Sequence, residues 1–235
     1  NSGTNSWTWA NTNPDDFNGT LTIQNLSGNG TFLAQASAGN TFDGDVIIES
    51  SASGVYFGNG GGTAVLSTGN TVSIGSGGFT VGTLRFRNFT QSGATAQSLT
   101  LSGTAILDFR DSEWSGNVIA SAPQVLVRES TFNGTTTLSK TGASNNNSYG
   151  GNTFVGDFTM NNSGSGNFLF GNNAADSFNG NVTLNNSGTS SSYIAQNNAG
   201  HTIGGDLTVN ETGGGNSYSY IANSATSAIS ITGNV

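Results

Sequence analysis

A short segment with the order apolar, polar, apolar recurs along the chain. It reads Leu21-Thr22-Ile23, Val46-Ile47-Ile48, Val72-Ser73-Ile74, Leu99-Thr100-Leu101 and Val118-Ile119-Ala120. It continues as Thr136-Thr137-Leu138, Phe158-Thr159-Met160, Val182-Thr183-Leu184, Leu207-Thr208-Val209 and Ile229-Ser230-Ile231. Alternation with period two predicts half-buried β-strands whose middle residue points out. A second strand follows each first one, with Leu33, Phe57, Phe86, Phe109, Val127, Tyr149, Phe170, Ile194 and Ile221 as its last inward residues. A small residue and then Asn or Gln often comes next, as in Ala34-Gln35, Gly58-Asn59, Gly171-Asn172, Ala195-Gln196 and Ala222-Asn223. A third column sets an aromatic before a glycine, ahead of the first strand. It comprises Phe17-Asn18-Gly19, Phe42-Asp43-Gly44, Trp114-Ser115-Gly116, Phe132-Asn133-Gly134, Phe154-Val155-Gly156 and Phe178-Asn179-Gly180, with Ile203-Gly204-Gly205 as a softened copy.

These columns share one period, about 23 residues on average. A unit of that size cannot bury its own apolar face, and stacking identical units buries a continuous core. The pattern therefore predicts an all-β chain folded as a single-stranded parallel β-helix, a β-solenoid of about nine to ten coils. A β-sandwich would place strands every 8–12 residues, roughly, without repeating them in sequence. Residues 1–16 read as a lead-in, with Trp7-Thr8-Trp9 able to lie across the first coil as a cap, and residues 17–235 as the repeat domain. Little follows Ile231, so the final coil is expected to meet further coils of a longer array or another chain.

Composition narrows the function classes. The 235 residues carry 36 glycines, no cysteine, five Lys plus Arg against 13 Asp plus Glu, and a net charge of -8. A chain this poor in cations lacks the electrostatic footprint of a nucleic-acid binder. Without cysteine there is neither a disulfide framework nor a thiolate metal site. No apolar run is long enough to span a membrane. Gly, Asn, Ser and Thr dominate while helix formers are scarce, which argues against helices.

The unit Phe178-Asn179-Gly180-Asn181-Val182-Thr183-Leu184-Asn185-Asn186-Ser187-Gly188 is close to the one beginning at Phe154. Such units resemble the β-strand repeat regions of very large secreted surface proteins and adhesins of Bacteroidota-type bacteria. The resemblance is clearest from Phe132 to Val209. It implies an exported, extracellular, cell-surface or filament-forming protein, structural or adhesive and without catalysis.

Candidate chemistry is sparse. His201, the only histidine, reads as an exposed turn residue and not as a general base. The calcium-binding nonapeptide repeat of other solenoids is absent, so no cofactor or metal is expected. Four of the five basic residues cluster, because Phe86-Arg87-Asn88, Phe109-Arg110-Asp111 and Val127-Arg128-Glu129 align and Arg85 stands beside them. With Asp108, Asp111, Glu113 and Glu129 nearby, the cluster reads as an ion-pair ladder or, alternatively, as the Arg and carboxylate groove of a polysaccharide-acting β-helix enzyme. One position before each inward residue of the second strand, alternation turns Phe32, Tyr56, Arg85, Asp108, Leu126, Ser148, Leu169, Tyr193 and Tyr220 outward. Exposed rings there suit docking to sugars or a partner. On the first strand the outward column is rich in threonine, namely Thr22, Thr100, Thr137, Thr159, Thr183 and Thr208, with Ser73 and Ser230. Ice-binding solenoids use such a column, which gives a third reading.

The expectation is a non-enzymatic rod that meets cell-surface glycans or abiotic surfaces. Phe32, Tyr56, Tyr193, Tyr220, Arg87, Arg110 and Arg128 are its candidate ligand-binding residues. End-to-end or side-by-side self-association is open to such a rod.

Overall fold

The repeat folds as a three-sided coil, seen in a computed structural model that describes residues 1–215 and 217–235. The first face carries Leu21–Asn25, Val46–Ser50 and Val72–Phe79 in one sheet, then six strands from Gln97–Thr100 to Leu207–Glu211 in another. The second face runs through six strands from Trp7–Thr8 to Gln124–Arg128 and four more from Asn146–Asn147 to Ser219–Ile221. A single ten-stranded sheet, Asp16–Phe17 to Ile229–Ile231, forms the third face. Neighbouring strands pair in parallel, one coil above the next. No helix occurs among the described residues. The architecture is a β-solenoid of about nine turns, near 24 residues each.

Stacking in register sets like over like. On the third face Phe17 lies against Phe42 with ring centroids 5.0 Å apart and planes 7° apart. Phe132, Phe154 and Phe178 continue the spine at 5.1 and 5.0 Å. From the second face Phe57, Phe86 and Phe109 stack toward it, while Val46, Ile48, Leu138, Leu184 and their equivalents close the first side. The centroid distances match the strand spacing of about 4.8 Å, so each ring covers the face of the next.

The corner after the second strand needs a left-handed backbone, which costs an ordinary residue roughly 1–2 kcal/mol. Ala34, Ala195 and Ala222 adopt it at φ 48, 56 and 54°. Gly58 occupies the same place at φ 63°, where a Cβ would fall 2.1 Å from the Arg87 carbonyl oxygen. In the coils of Phe86, Phe109 and Val127 the strand runs one residue further. The left-handed residues there are Asn88, Asp111 and Glu129 at φ 46, 49 and 47°. Those coils therefore gain the extra outward positions Arg87, Arg110 and Arg128, which lie in one aligned row, and the coil after them gains Tyr149 before the corner at Gly150.

A polar column also runs inside the third face. Ser112, Ser130, Asn152, Asp176 and His201 are all buried, one per coil. From Ser130 onward each side chain accepts an N–H from the coil before it. Ser130 Oγ takes the Ser112 N–H at 3.2 Å, Asn152 Oδ1 the Ser130 N–H at 3.1 Å, and Asp176 Oδ1 the Asn152 N–H at 2.9 Å. His201 Nδ1 takes the Asp176 N–H at 2.9 Å. The imidazole is thus held neutral, and burial pushes its pKa down. Burial pushes the Asp176 carboxyl up to about 7 against two hydrogen bonds from Asn152 that favour its charge.

The structure corrects several expectations. His201 is an inward strand residue, 1% exposed, and not an exposed turn residue. Ile229–Ile231 pairs with His201–Ile203 on the third face, so it is not a tenth first strand. In the fourth coil Gln97-Ser98-Leu99 aligns with Val118-Ile119-Ala120. The slip from Leu99-Thr100-Leu101 is two residues, which leaves inside and outside unchanged. Ser148 is buried and Tyr149 only partly so, the reverse of the expected order. Tyr149-Gly150 mimics Phe57-Gly58 in sequence, but this coil is built like the arginine coils, with one residue between the inward position and the corner.

Two outcomes follow. Phe154 touches the rings of Phe132, Phe158, Phe170 and Phe178, so Phe154→Ala is expected to lose about 3–5 kcal/mol in urea unfolding. A loss within about 0.5 kcal/mol, typical of surface positions, would contradict the ring spine. The second concerns Asp176, whose folded pKa lies above its unfolded value near 3.9. Its stabilising contribution is complete below about pH 4 and is lost as pH rises through 7. Asp176→Asn keeps the acceptor and removes the titration. It should be more stable than the parent by about 1–3 kcal/mol at pH 8 and lose that advantage at pH 4, read from paired melts.

Candidate functional site

Outward side chains on the second face form one continuous strip, because the register aligns Phe32, Tyr56, Arg85, Asp108 and Leu126. Beyond them Asn147, Leu169, Tyr193 and Tyr220 line up in the same way. At one end Phe32 stacks on Tyr56 with centroids 5.1 Å apart, and the Arg85 guanidinium lies 5.5 Å over the Tyr56 ring. At the other end Tyr193 and Tyr220 stack at 4.8 Å, with Tyr218 tilted beside them at 5.7 Å. The aromatic pairs therefore sit at opposite ends, and the charged coils separate them. Within each pair the facing sides of the rings cover one another and their edges meet solvent.

The middle of the strip is an ionic network. Asp108 is buried, its side chain 2% exposed. Its carboxylate accepts the Arg85 Nε–H at 2.6 Å and lies 3.5 Å from Arg110 Nη2. Arg85 also donates to Asn59 Oδ1 at 3.1 Å, and Arg87 to the Asn59 carbonyl at 3.2 Å. Arg87 Nε faces Asp111 at 3.4 Å and Arg128 Nε faces Glu129 at 3.2 Å. The Arg128 guanidinium lies 4.2 Å over the ring of Tyr149.

Asp111 and Glu129 occupy successive left-handed corners, so two carboxyl groups meet one coil apart. Burial, then the Glu129 carboxyl, pushes the Asp111 pKa up. The hydrogen bond from Arg128 holds Glu129 down. Beside the network lies a cleft of about 160 Å³ lined by Asp108, Arg110, Leu126, Val127, Arg128, Asn147 and Tyr149.

The structure thus joins Arg87, Arg110 and Arg128 in one row, joins Phe32 to Tyr56 and Tyr193 to Tyr220, and keeps these groups apart along the rod. On the first face Thr137, Thr159, Thr183 and Thr208 align. The parallel row Ser139, Asn161, Asn185 and Asn210 is hydrogen bonded along its length at 3.0, 2.8 and 2.8 Å.

Sequence reasoning missed Tyr149 as the cation–π partner and Asn147 as part of the cleft wall. It also missed the buried column ending in His201. That column had a readable signal, a polar residue two places before each third-face anchor, as in Asn152-Thr153-Phe154 and Asp176-Ser177-Phe178. Among the described residues no group of three or more His, Cys, Asp or Glu side chains is placed to hold a metal ion. No protein family, curated protein or solved structure matches the chain.

The two ends of the network differ in burial, and this sets an expectation. Asp108→Asn leaves the half-buried Arg85 and Arg110 without their counter-charge and should destabilise by about 1–3 kcal/mol. Arg128→Gln breaks an exposed pair and the cation–π contact with Tyr149 and should change stability by about 1 kcal/mol or less. Equal losses in urea unfolding would show that the network acts as one structural unit.

Proposed function

We propose that this chain is a structural and adhesive segment of an extracellular bacterial surface or filament protein of the Bacteroidota-type repeat class. It holds glycans or other surfaces through many weak contacts and is not an enzyme. One observation carries this reading: the outward side chains of the second face stand in straight rows at the coil spacing, on a scaffold bonded from coil to coil. A rigid row repeats one contact along the rod, and avidity multiplies weak contacts without a deep pocket. The scaffold is ordered before it binds, so little entropy is lost on attachment.

A second reading, a polysaccharide-acting enzyme, has its own support in the Asp111 and Glu129 carboxyls beside the arginine row. Paired carboxyl groups with different pKa values are what glycoside chemistry uses.

Incubation with acidic and neutral polysaccharides separates the two. The expected outcome is retention of the protein on polysaccharide-coated surfaces with no release of reducing or unsaturated ends. Release of such ends, abolished by Asp111→Asn, would overturn the structural reading. Tyr193→Ser with Tyr220→Ser should weaken retention while lowering stability by only about 0.5–1.5 kcal/mol, the worth of one aromatic pair.

A further inference from the structure

We infer that the cleft between Arg110, Arg128 and Tyr149 is a binding site for the carboxylate of an acidic sugar, a uronate unit of a polysaccharide lying along the second face. The inference rests on the adhesive reading and names the class of glycan.

The arginines of this row, and Tyr149 after them, stand on positions that exist only because four successive coils carry one extra residue before the corner. The other coils turn at Ala34, Gly58, Gly171, Ala195 and Ala222 without it. Stacking like charges about one strand spacing apart, near 4.8 Å, opposes folding unless anions stand between them. The protein's own anions satisfy the row unevenly. Arg85 takes Asp108 at 2.6 Å, which leaves Arg110 a contact of 3.5 Å with the same oxygen. The Nε of Arg110 is buried without a hydrogen-bond partner, and that of Arg87, outside the cleft, only faces Asp111 at 3.4 Å. Arg128 meets only the exposed Glu129, and Tyr149 fixes its plane from below. Two planar forks on successive coils thus border one cleft with donors to spare, the geometry that suits a carboxylate.

The rest of the cleft fits a sugar. Leu126 supplies an apolar floor and Asn147 a polar edge, and the volume of about 160 Å³ is about five times the 30 Å³ share of a liquid water molecule. One pyranose ring fits such a space. The carboxylates around the cleft are Asp108, held by Arg85, with Asp111 and Glu129 at the corner. Four arginines outnumber these three, in a chain whose net charge is -8. The coil rise is close to the length of one sugar in an extended chain, so successive units of a polymer meet successive coils.

The test titrates the purified chain calorimetrically with oligogalacturonate, its methyl ester and dextran sulfate. Oligogalacturonate should bind, more weakly as salt rises, and esterification should weaken it at least about tenfold, the effect of losing one charged hydrogen bond. Arg110→Gln and Arg128→Gln should each lower affinity about tenfold. Arg110→Lys, which keeps the charge and the fold, should lose nearly as much because the fork is gone. Tyr193→Ser with Tyr220→Ser should leave oligogalacturonate binding intact. Equal binding of the methyl ester or of dextran sulfate, or affinity unchanged in the arginine variants, would overturn the site while retention on neutral glycans kept the adhesive reading. Failure to bind any polysaccharide or surface would remove both.

Discussion

The parallel hydrogen-bond ladder from coil to coil is the constraint on which everything else depends. It fixes the rise at about 4.8 Å, and it places each residue directly over its equivalent in the coil before. Whatever a position holds must therefore tolerate its own kind at van der Waals distance. Phenylalanine does so by stacking, as Phe132, Phe154 and Phe178 do within 7° of parallel. Asparagine does so by bonding amide to amide, as Asn161, Asn185 and Asn210 do. The scarcity of charged residues, 8% of the chain, follows from the same rule, since stacked like charges repel at every step.

The ladder also explains how this protein pairs backbone N–H groups at its corners. A corner breaks the regular backbone pairing and frees N–H groups, and each needs a partner. The inward side chain of the following coil supplies it. Asn40 accepts from Asp15 N–H and Gln97 from Val72 N–H, much as Asp176 does from Asn152, while Gln91 reaches forward to the Gly116 N–H of the next coil. The residue type varies while the acceptor persists. Asp and His enter this column because each offers one oxygen or ring nitrogen in the right place. Their shifted titration is the consequence of a structural task, and it makes stability depend on pH.

Much of the fold was legible because stacking imposes a period, and a period is visible without coordinates. Alternation gave the inside and outside of Leu33, Phe57, Phe86 and Phe109, and the alignment of Arg87, Arg110 and Arg128. What failed did so where a coil changed length. Tyr149 was turned inward because Gly150 resembled the corner glycine Gly58, and the sequence carries no mark of the additional residue between them. Ile229-Ser230-Ile231 has the same apolar, polar, apolar order as the first-face strands, yet it lies on the third face. Three-residue alternation identifies a strand but not its face. Contacts between successive coils, such as Arg128 over Tyr149 or Arg85 over Tyr56, depend on the direction each side chain takes, which periodicity does not encode.

A solenoid of this kind separates what must be conserved by physics from what is free to change. The inward columns answer to their neighbours above and below, so a change there disturbs three coils at once. An outward row answers to its neighbours without constraining the core, and a corner admits one more residue by moving its left-handed angle on to Asn88, Asp111 or Glu129. That single extra residue in four successive coils adds a row of three guanidinium forks that ends on the ring of Tyr149. The core beneath is unaltered, since Phe86, Phe109 and Val127 stay aligned with Phe57 below them. New surface chemistry in this architecture thus arises by lengthening a coil at its corner, and the place where coils depart from their common length is the place where a function separate from stacking is to be sought.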